Sequence, residues 1–356
     1  MRPFIPYMGA KTSVSEHLAQ VCSAAPHTTY IEMFVGSGSV FFAKDKARIN
    51  ILNDRDQDVI NIYQAVAADS NSVMAERHRL PVSRLLYDQI QAQMRSHCWF
   101  ELSEAERAAR MSYVLSCAIN AKPDSTFPAS STRPINYDPD RDLQPYAEKL
   151  RAVTLECLHW PELLDRYVLQ PRSISCMLYA DPPYAVTTGR HYRHNFDGVA
   201  HLLLARKLAL VNQRNRGDRR VRVVISYDDD PAGYIRSLYR REFGWHIYEL
   251  PIQYRGGHHA SATPELLITN FDKNTIEPIG HSPAECKRVM FSLASFKWDG
   301  IVKSNASTMS AHKHRNGHQM SAQCSMNERR CYASLPTNVR TMLDVLFFAE
   351  KEINHQ

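Results

Sequence analysis

"HTTYIEMFVGSGSVFFAKDKARINILND", residues 27–54, reads as one α/β unit. Residues 30–35 form an apolar, β-prone run that enters the turn Gly36-Ser37-Gly38, a short helix follows, and residues 48–52 form a second strand ending in Asn53 and Asp54. Parallel neighbours need a crossover, and a strand that leaves through a glycine turn into a helix supplies one. "VINIYQAV" (59–66) reads as the next helix. The alternation returns with "SCMLYA" (175–180), a helix over 199–213 and "VRVVISY" (221–227), and further strands are expected in "HIYELPIQY" (246–254) and "ELLITNF" (265–271). The expected fold class is therefore α/β, a mostly parallel central sheet covered on both faces.

Between these halves, residues 67–170 have a different texture. "SEAERAARMSYVLSCAIN" opens with Ser103 and Glu106 at capping-box spacing and reads as a helix, and the Pro-, Ser- and Asp-rich "AKPDSTFPASSTRPINYDPD" reads as loop. An inserted, mainly helical subdomain with one long loop is expected there. Near the end, "SNASTMSAHKHRNGHQMSAQ" is polar and reads as a mobile segment, and "RTMLDVLFFAEKEI" as a short amphipathic helix. The eight cysteines contain no CxxC pair and read as buried free thiols of a reducing compartment. With no apolar run of membrane-spanning length and no signal-peptide core, the expected location is the cytoplasm. A net charge of +6 permits a polyanionic partner, and arginines crowd into 185–260 ("TTGRHYRH", "NQRNRGDRRVR"), whereas 72–150 is nearly balanced.

Three stretches carry chemistry. In "FVGSGS", Gly36 and Gly38 permit close backbone approach to a ligand, but Phe41 stands where a dinucleotide fingerprint needs another glycine. Asp54, at the end of the next strand, suits a carboxylate that binds ribose hydroxyls, so a nucleoside-containing cofactor without pyrophosphate fits the pair. "PYMGAKTS" places Tyr7 and Lys11 just before a helix expected to begin near Thr12 or Ser13. In "LYADPPYAVTT" (178–188), two prolines fix the backbone after an apolar run and hold Asp181 and Pro182 stiffly.

In this order, "YMGAKTS", "YIEMFVGSGSVFF", "ILNDRDQDVINIY" and "YADPPY" resemble the Dam-type DNA adenine methyltransferases, as do the later "TTGRHYRHNF", "VVISYDDD" and "PELLITNF". The resemblance covers about residues 3–66 and 176–271. It implies a Rossmann-like methyltransferase fold and transfer of a methyl group from S-adenosylmethionine to the amino group of an adenine flipped out of double-stranded DNA. It further implies that Tyr7, Lys11, Asp54 and Asp181 contact the cofactor and that Glu32, Phe34, Gly36 and Gly38 line its pocket. Asp181, Pro182, Pro183 and Tyr184 are the implied catalytic group: two acceptors for the amino hydrogens, a rigid backbone and a stacking face. No metal is required.

The chain departs from that family in two places. Met33 stands where proline usually follows the glutamate, and "SCAINAKPDSTFPASS" replaces the family's Asn-Arg and aromatic-Asn-Gly segment, so the GATC target of Dam-type enzymes does not carry over. The expected division is a catalytic domain of 1–66 and 171–280, a target-recognition insert of 67–170 and an extension of 281–356. Polar residues of the 122–140 loop, Arg133 and Asn136 among them, are expected to read bases, and Arg190 and Arg193 to meet phosphates. An RNA amino-methyltransferase, a glutamine-modifying protein methyltransferase and a non-enzymatic DNA-binding relative are the competing readings.

Overall fold

The computed structural model describes residues 1–11, 13–128, 135–169, 175–184, 196–214, 221–229, 233–239, 244–250 and 265–273. The chain divides into two units, Met1–Gly280 and His281–Gln356. The second unit, with the polar segment and terminal helix expected there, lies outside the described residues.

The first unit runs α1 (Ser15–Ser23), β1 (Thr29–Glu32), α2 (Ser39–Ala43), β2 (Ile49–Asn53) and α3 (Gln57–His78). It continues with α4 (Arg84–Met94), α5 (Glu104–Cys117), α6 (Gln144–Leu150), β3 (Val153–Glu156), α7 (Trp160–Tyr167) and β4 (Cys176–Ala180). It closes with α8 (Gly198–Arg214), β5 (Val221–Asp228), α9 (Tyr234–Leu238), β6 (His246–Leu250) and β7 (Glu265–Thr269). The strands form one seven-stranded sheet in the order β3-β2-β1-β4-β5-β7-β6. The first five are parallel, and β7 runs antiparallel to both β5 and β6.

Both faces are covered, so β1 and β4 are buried at every residue, and β4 reads as a continuous apolar run rather than an alternating one. Successive side chains still part to opposite faces. Tyr30, Leu52, Met177 and Tyr179 join the core beneath α1, α2, α3 and α5, whereas Ile31, Ile51, Leu178 and Val223 join the one beneath α7, α8 and α9. Met33 is fully buried in the second core, and its N–H donates to Tyr179 O at 2.9 Å, a bond that a proline there could not make.

Local chemistry explains several boundaries. β1 stops at Glu32, and the chain then leans on β2, with Val35 N–H donating to Asn53 O at 2.8 Å. α3 is far longer than the expected eight residues because it restarts across a kink at Asp69, whose carboxylate accepts from the N–H and hydroxyl of Ser72. The capping box at Ser103 and Glu106 forms as its spacing predicts and starts α5. β3 lies within the stretch expected as insert, yet pairs in parallel with β2 at the sheet edge. Four residues, all at least partly exposed, leave no apolar run to read. Among the described cysteines, Cys22, Cys117 and Cys176 are buried as expected, but Cys98 and Cys157 are exposed.

Candidate functional site

The parallel register brings the carboxyl ends of β1, β2 and β4 to one edge: Glu32 stands opposite Leu52 and Tyr179. Ligands of open α/β sheets bind at that edge. At β1 the turn is built around glycine. Gly36 has φ 45°, and a Cβ on it would lie 2.9 Å from the Tyr7 ring, so the aromatic packs directly on the turn. Gly38, with φ 67°, meets Phe42 at the same distance and caps α2. Tyr63 OH donates to Gly36 O at 2.6 Å from behind.

Asp54 completes this half. Its Oδ2 accepts from Gly36 N–H and its Oδ1 from Asp56 N–H, each at 2.9 Å. Burial outweighs both bonds and pushes its carboxyl up to about 6. The neighbouring Asn53 ties the two strand ends to the chain after β3, donating to Met33 O and Leu158 O and accepting from Leu158 N–H.

The other half is a buried charge cluster at the end of β4. Lys11 Nζ lies 2.8 Å from Asp181 Oδ1 and 2.8 Å from Glu265 Oε1, and it also hydrogen-bonds Tyr184 OH. Ser226, near the end of β5, donates its hydroxyl to Asp181 Oδ1 at 3.0 Å, so Tyr179 OH, 2.8 Å from Ser226 Oγ, donates to the serine in turn. Among the described residues these bonds converge on Oδ1, which leaves the lone pairs of Oδ2 for a further donor. With side chains exposed by 4% for Lys11, 5% for Glu265 and 19% for Asp181, the aspartate is the most accessible charge of the cluster. Burial pulls the Lys11 ammonium down, but the two carboxylates outweigh it and hold its pKa above the ordinary value. Asp181 is pushed up to about 6, chiefly by burial, with Lys11 opposing and Glu265 adding. Glu32 accepts from Tyr30 OH at 2.7 Å, and burial pushes it up to about 8.

Between the halves opens a cleft of about 1080 Å³, its mouth included. Tyr7, Lys11, Glu32, Phe34, Gly36, Asp54, Asp181, Pro182, Pro183 and Tyr184, all expected from sequence, line it. Gly38 does not line it and instead shapes the turn from behind. Asn136 is exposed, beside Tyr137, whose hydroxyl donates to Arg77 O at 2.8 Å. Arg133, Arg190 and Arg193 lie outside the described residues.

Sequence reading missed Trp160 and Phe196 in the cleft wall, and Ser226 and Glu265 behind Asp181. Ser226 had a signal, since the end of the strand beside β4 must approach Asp181. Glu265 begins β7, and the first residue of an antiparallel strand reaches the edge where parallel strands end; only knowledge of that direction reveals it.

The sequence matches the family of D12 class N6 adenine-specific DNA methyltransferases over residues 7–250. It is 26% identical over 248 residues to a DNA adenine methylase of Vibrio cholerae serotype O1, covering 67% of this chain and 85% of that protein. It is 25% identical over 249 residues to the retron Ec67 DNA adenine methylase of Escherichia coli, covering 67% and 81%. A shorter match, 28% over 124 residues, is to the type II methyltransferase M1.LlaDCHI of Lactococcus lactis subsp. cremoris, covering 34% and 42%. With the sheet order and strand directions above, the fold is a Rossmann-like methyltransferase fold. The cleft at the ends of β1, β2 and β4 falls within the matched residues, and the chain belongs to the D12 class N6 adenine-specific DNA methyltransferases.

Proposed function

We propose that this DNA adenine methyltransferase binds S-adenosylmethionine between the Gly36 turn and Asp181, and acts on an adenine swung out of double-stranded DNA. The observation that carries the reading is the pairing of two carboxylates across one cleft, Asp54 set by backbone N–H groups and Asp181 set by Lys11 and Ser226. The donor set suits the cofactor: backbone N–H groups fix the Asp54 carboxylate without using all of its lone pairs, which leaves acceptor capacity for a ribose hydroxyl. Tyr7 and Phe34 offer aromatic walls, and Glu32 a carboxyl that a cationic ligand would ionise. When bound, S-adenosylmethionine supplies a methyl group already activated by its sulfonium.

The residues of this chain must then make adenine a better nucleophile, because its amino lone pair is delocalised into the ring. Asp181 and the Pro182 carbonyl accept the two amino hydrogens and draw the nitrogen toward tetrahedral geometry. Ionised, Asp181 is the stronger acceptor. The pair on nitrogen would form the new N–CH3 bond as the methyl–sulfur bond breaks and its electron pair stays on sulfur, and the amino group would give up one proton, which the Asp181 carboxylate, pushed up to about 6, is basic enough to take. Pro182 and Pro183 hold these acceptors rigid, and Tyr184 provides a stacking face.

Target recognition we assign to the helical stretch after α3 and its loop, with Arg133 and Asn136 toward bases and Arg190 and Arg193 toward phosphates. Incubating the protein with methyl-labelled cofactor and duplex DNA, RNA or protein tests the reading. Label on the adenine amino group of duplex DNA, lost in Asp181→Ala, is expected. Preferential labelling of RNA or of a glutamine side chain would overturn it.

A further inference from the structure

Glu265 stands outside the cleft, yet it touches two of the residues that shape it. We propose that Glu265 is a positioning residue for methyl transfer: its Oε1 fixes the Tyr184 phenol and shares the Lys11 ammonium with Asp181, so that Asp181 is aimed without being neutralised. This rests on the roles assigned above to Asp181 and Tyr184.

The geometry is that of one oxygen with two donors. Tyr184 OH donates to Glu265 Oε1 at 2.6 Å, and Lys11 Nζ approaches the same atom at 2.8 Å. Lys11 also lies 4.2 Å from the centre of the Tyr184 ring. A tyrosine serves as a stacking platform only while its ring plane is fixed, and a buried carboxylate on its hydroxyl fixes it at the far end. The carboxylate itself is held at the start of β7, where the backbone pairs with Asp228 on one side and Leu250 on the other. A carboxylate in so buried a place is costly unless paired, and its partners are these two residues of the site.

Charge gives the second part. If Lys11 served Asp181 alone, a buried ammonium 2.8 Å away would satisfy the aspartate and weaken it as an acceptor. A second carboxylate on the same ammonium divides that charge and adds its own repulsion. Lys11 from the N-terminal segment, Glu32 from β1, Tyr179 from β4, Tyr184 and Glu265 are the titratable groups facing Asp181; Glu265 is the one whose charge disfavours its ionised form, while Glu32, pushed up to about 8, is protonated where Asp181 titrates. Removing the charge at 265 therefore lowers the pKa of Asp181, and the acid limb of activity moves to lower pH.

The test uses the full chain with Glu265→Gln and Glu265→Asp, measuring single-turnover methylation of duplex DNA against pH. The Asp181 carboxyl is followed by carbon NMR in the cofactor-free protein. Glu265→Gln is expected to lose about tenfold or more in rate, consistent with a displaced positioning group, with cofactor and DNA affinities within about threefold. Its acid limb and its Asp181 titration should both move down by at least about half a pH unit, as loss of a nearby like charge requires. Glu265→Asp keeps the charge but shortens the reach, so its titration should stay while its rate falls. A rate loss with an unmoved titration in Glu265→Gln would mean a merely structural residue and overturn the proposal, as would an unchanged rate. If Glu265→Gln fails to fold, a downward-shifted titration in Glu265→Asp overturns it instead. Failure of the underlying reading is distinguishable: wild type would then methylate no adenine, or Asp181→Asn would keep its activity.

Discussion

The cleft and the insert are both fastened by hydrogen bonds, but at opposite ends of them. In the cleft, side chains are what is held: Asp54 by two backbone N–H groups, Asp181 by Lys11 and Ser226, Glu32 by Tyr30. In the insert, side chains of α4 hold a loop by its carbonyls. Arg84 Nη2 donates to Pro128 O at 2.8 Å, Tyr87 OH to Ser125 O at 2.8 Å, and Gln91 Nε2 to Pro123 O at 2.7 Å and Ser125 O at 2.8 Å. Trp99, just beyond α4, anchors this region to α3 through its Nε1–H, donated to Asp58 at 2.8 Å. Such bonds form whatever side chains the loop carries. On the roles proposed above, one region fixes chemistry, and the other fixes a backbone on which chemistry can vary.

The largest effect expected from that contrast is at Asp181. Asp181→Ala should reduce turnover by about 10² to 10³ or more, the loss typical of a removed transition-state partner. Duplex affinity should stay within a few fold, because phosphate contacts dominate it. A variant keeping more than about a tenth of wild-type rate would contradict the role.

Next comes Asp54. Asp54→Ala should weaken S-adenosylmethionine by about 1.5 to 3 kcal/mol, the range for a hydrogen bond to a charged group, measured by calorimetry. The pH dependence has a definite sign. Pushed up to about 6, Asp54 is protonated below that pH and becomes the better acceptor above it. Wild-type affinity should therefore rise by about tenfold between pH 5 and 7, the scale of one unit of pKa, and Asp54→Ala should lose that part of the rise. Equal slopes in the two proteins would remove Asp54 from the ribose site.

The same contrast decides what was legible in the sequence. Several cleft residues fall at strand ends, where turn chemistry leaves a local mark: Gly36 because only glycine fits beneath Tyr7, Asp181 because two prolines follow it. Ser226 and Glu265 left no such mark, since they reach the site through sheet pairing rather than through neighbours in the chain. β3 was hidden by its edge position, and the length of α3 by the restart at Asp69. In the insert the capping box was readable, but which loop residues meet a target was not, because α4 holds the loop by groups that every residue has.

For that reason the next effect should appear in specificity rather than stability. Replacing Asn136 or Arg133 with alanine should cost about 1 to 3 kcal/mol of discrimination at one base position. Replacing Arg190 or Arg193 should weaken all sequences alike and lower the salt-dependence slope by about one per lost contact. Profiling methylated adenines across a genome separates the sets: an unaltered motif in the first, or an altered one in the second, would reverse the assignment.

The smallest effect probes whether the two regions are separate at all. Ser103 accepts from Glu106 N–H at 3.2 Å, and Glu106 returns a bond to Ser103 N–H at 3.0 Å, so Ser103→Ala removes one arm of an exposed cap. The loss should be about 1 kcal/mol of stability, seen as a small fall in denaturation midpoint. α5 packs on α3, and α3 begins just after Asp54: Asp56 both caps that helix and donates its N–H to the Asp54 carboxylate. If a frayed α5 start passed its strain along α3, cofactor affinity would fall together with stability. The cap, however, lies at the first turn of α5, where Asn61 Nδ2 donates to Glu104 O at 3.1 Å, and that bond depends on neither Ser103 nor its hydroxyl. Cofactor affinity and turnover in Ser103→Ala should therefore match wild type at a temperature where both are folded, and a matching drop in affinity would show that the insert is part of the cleft's frame.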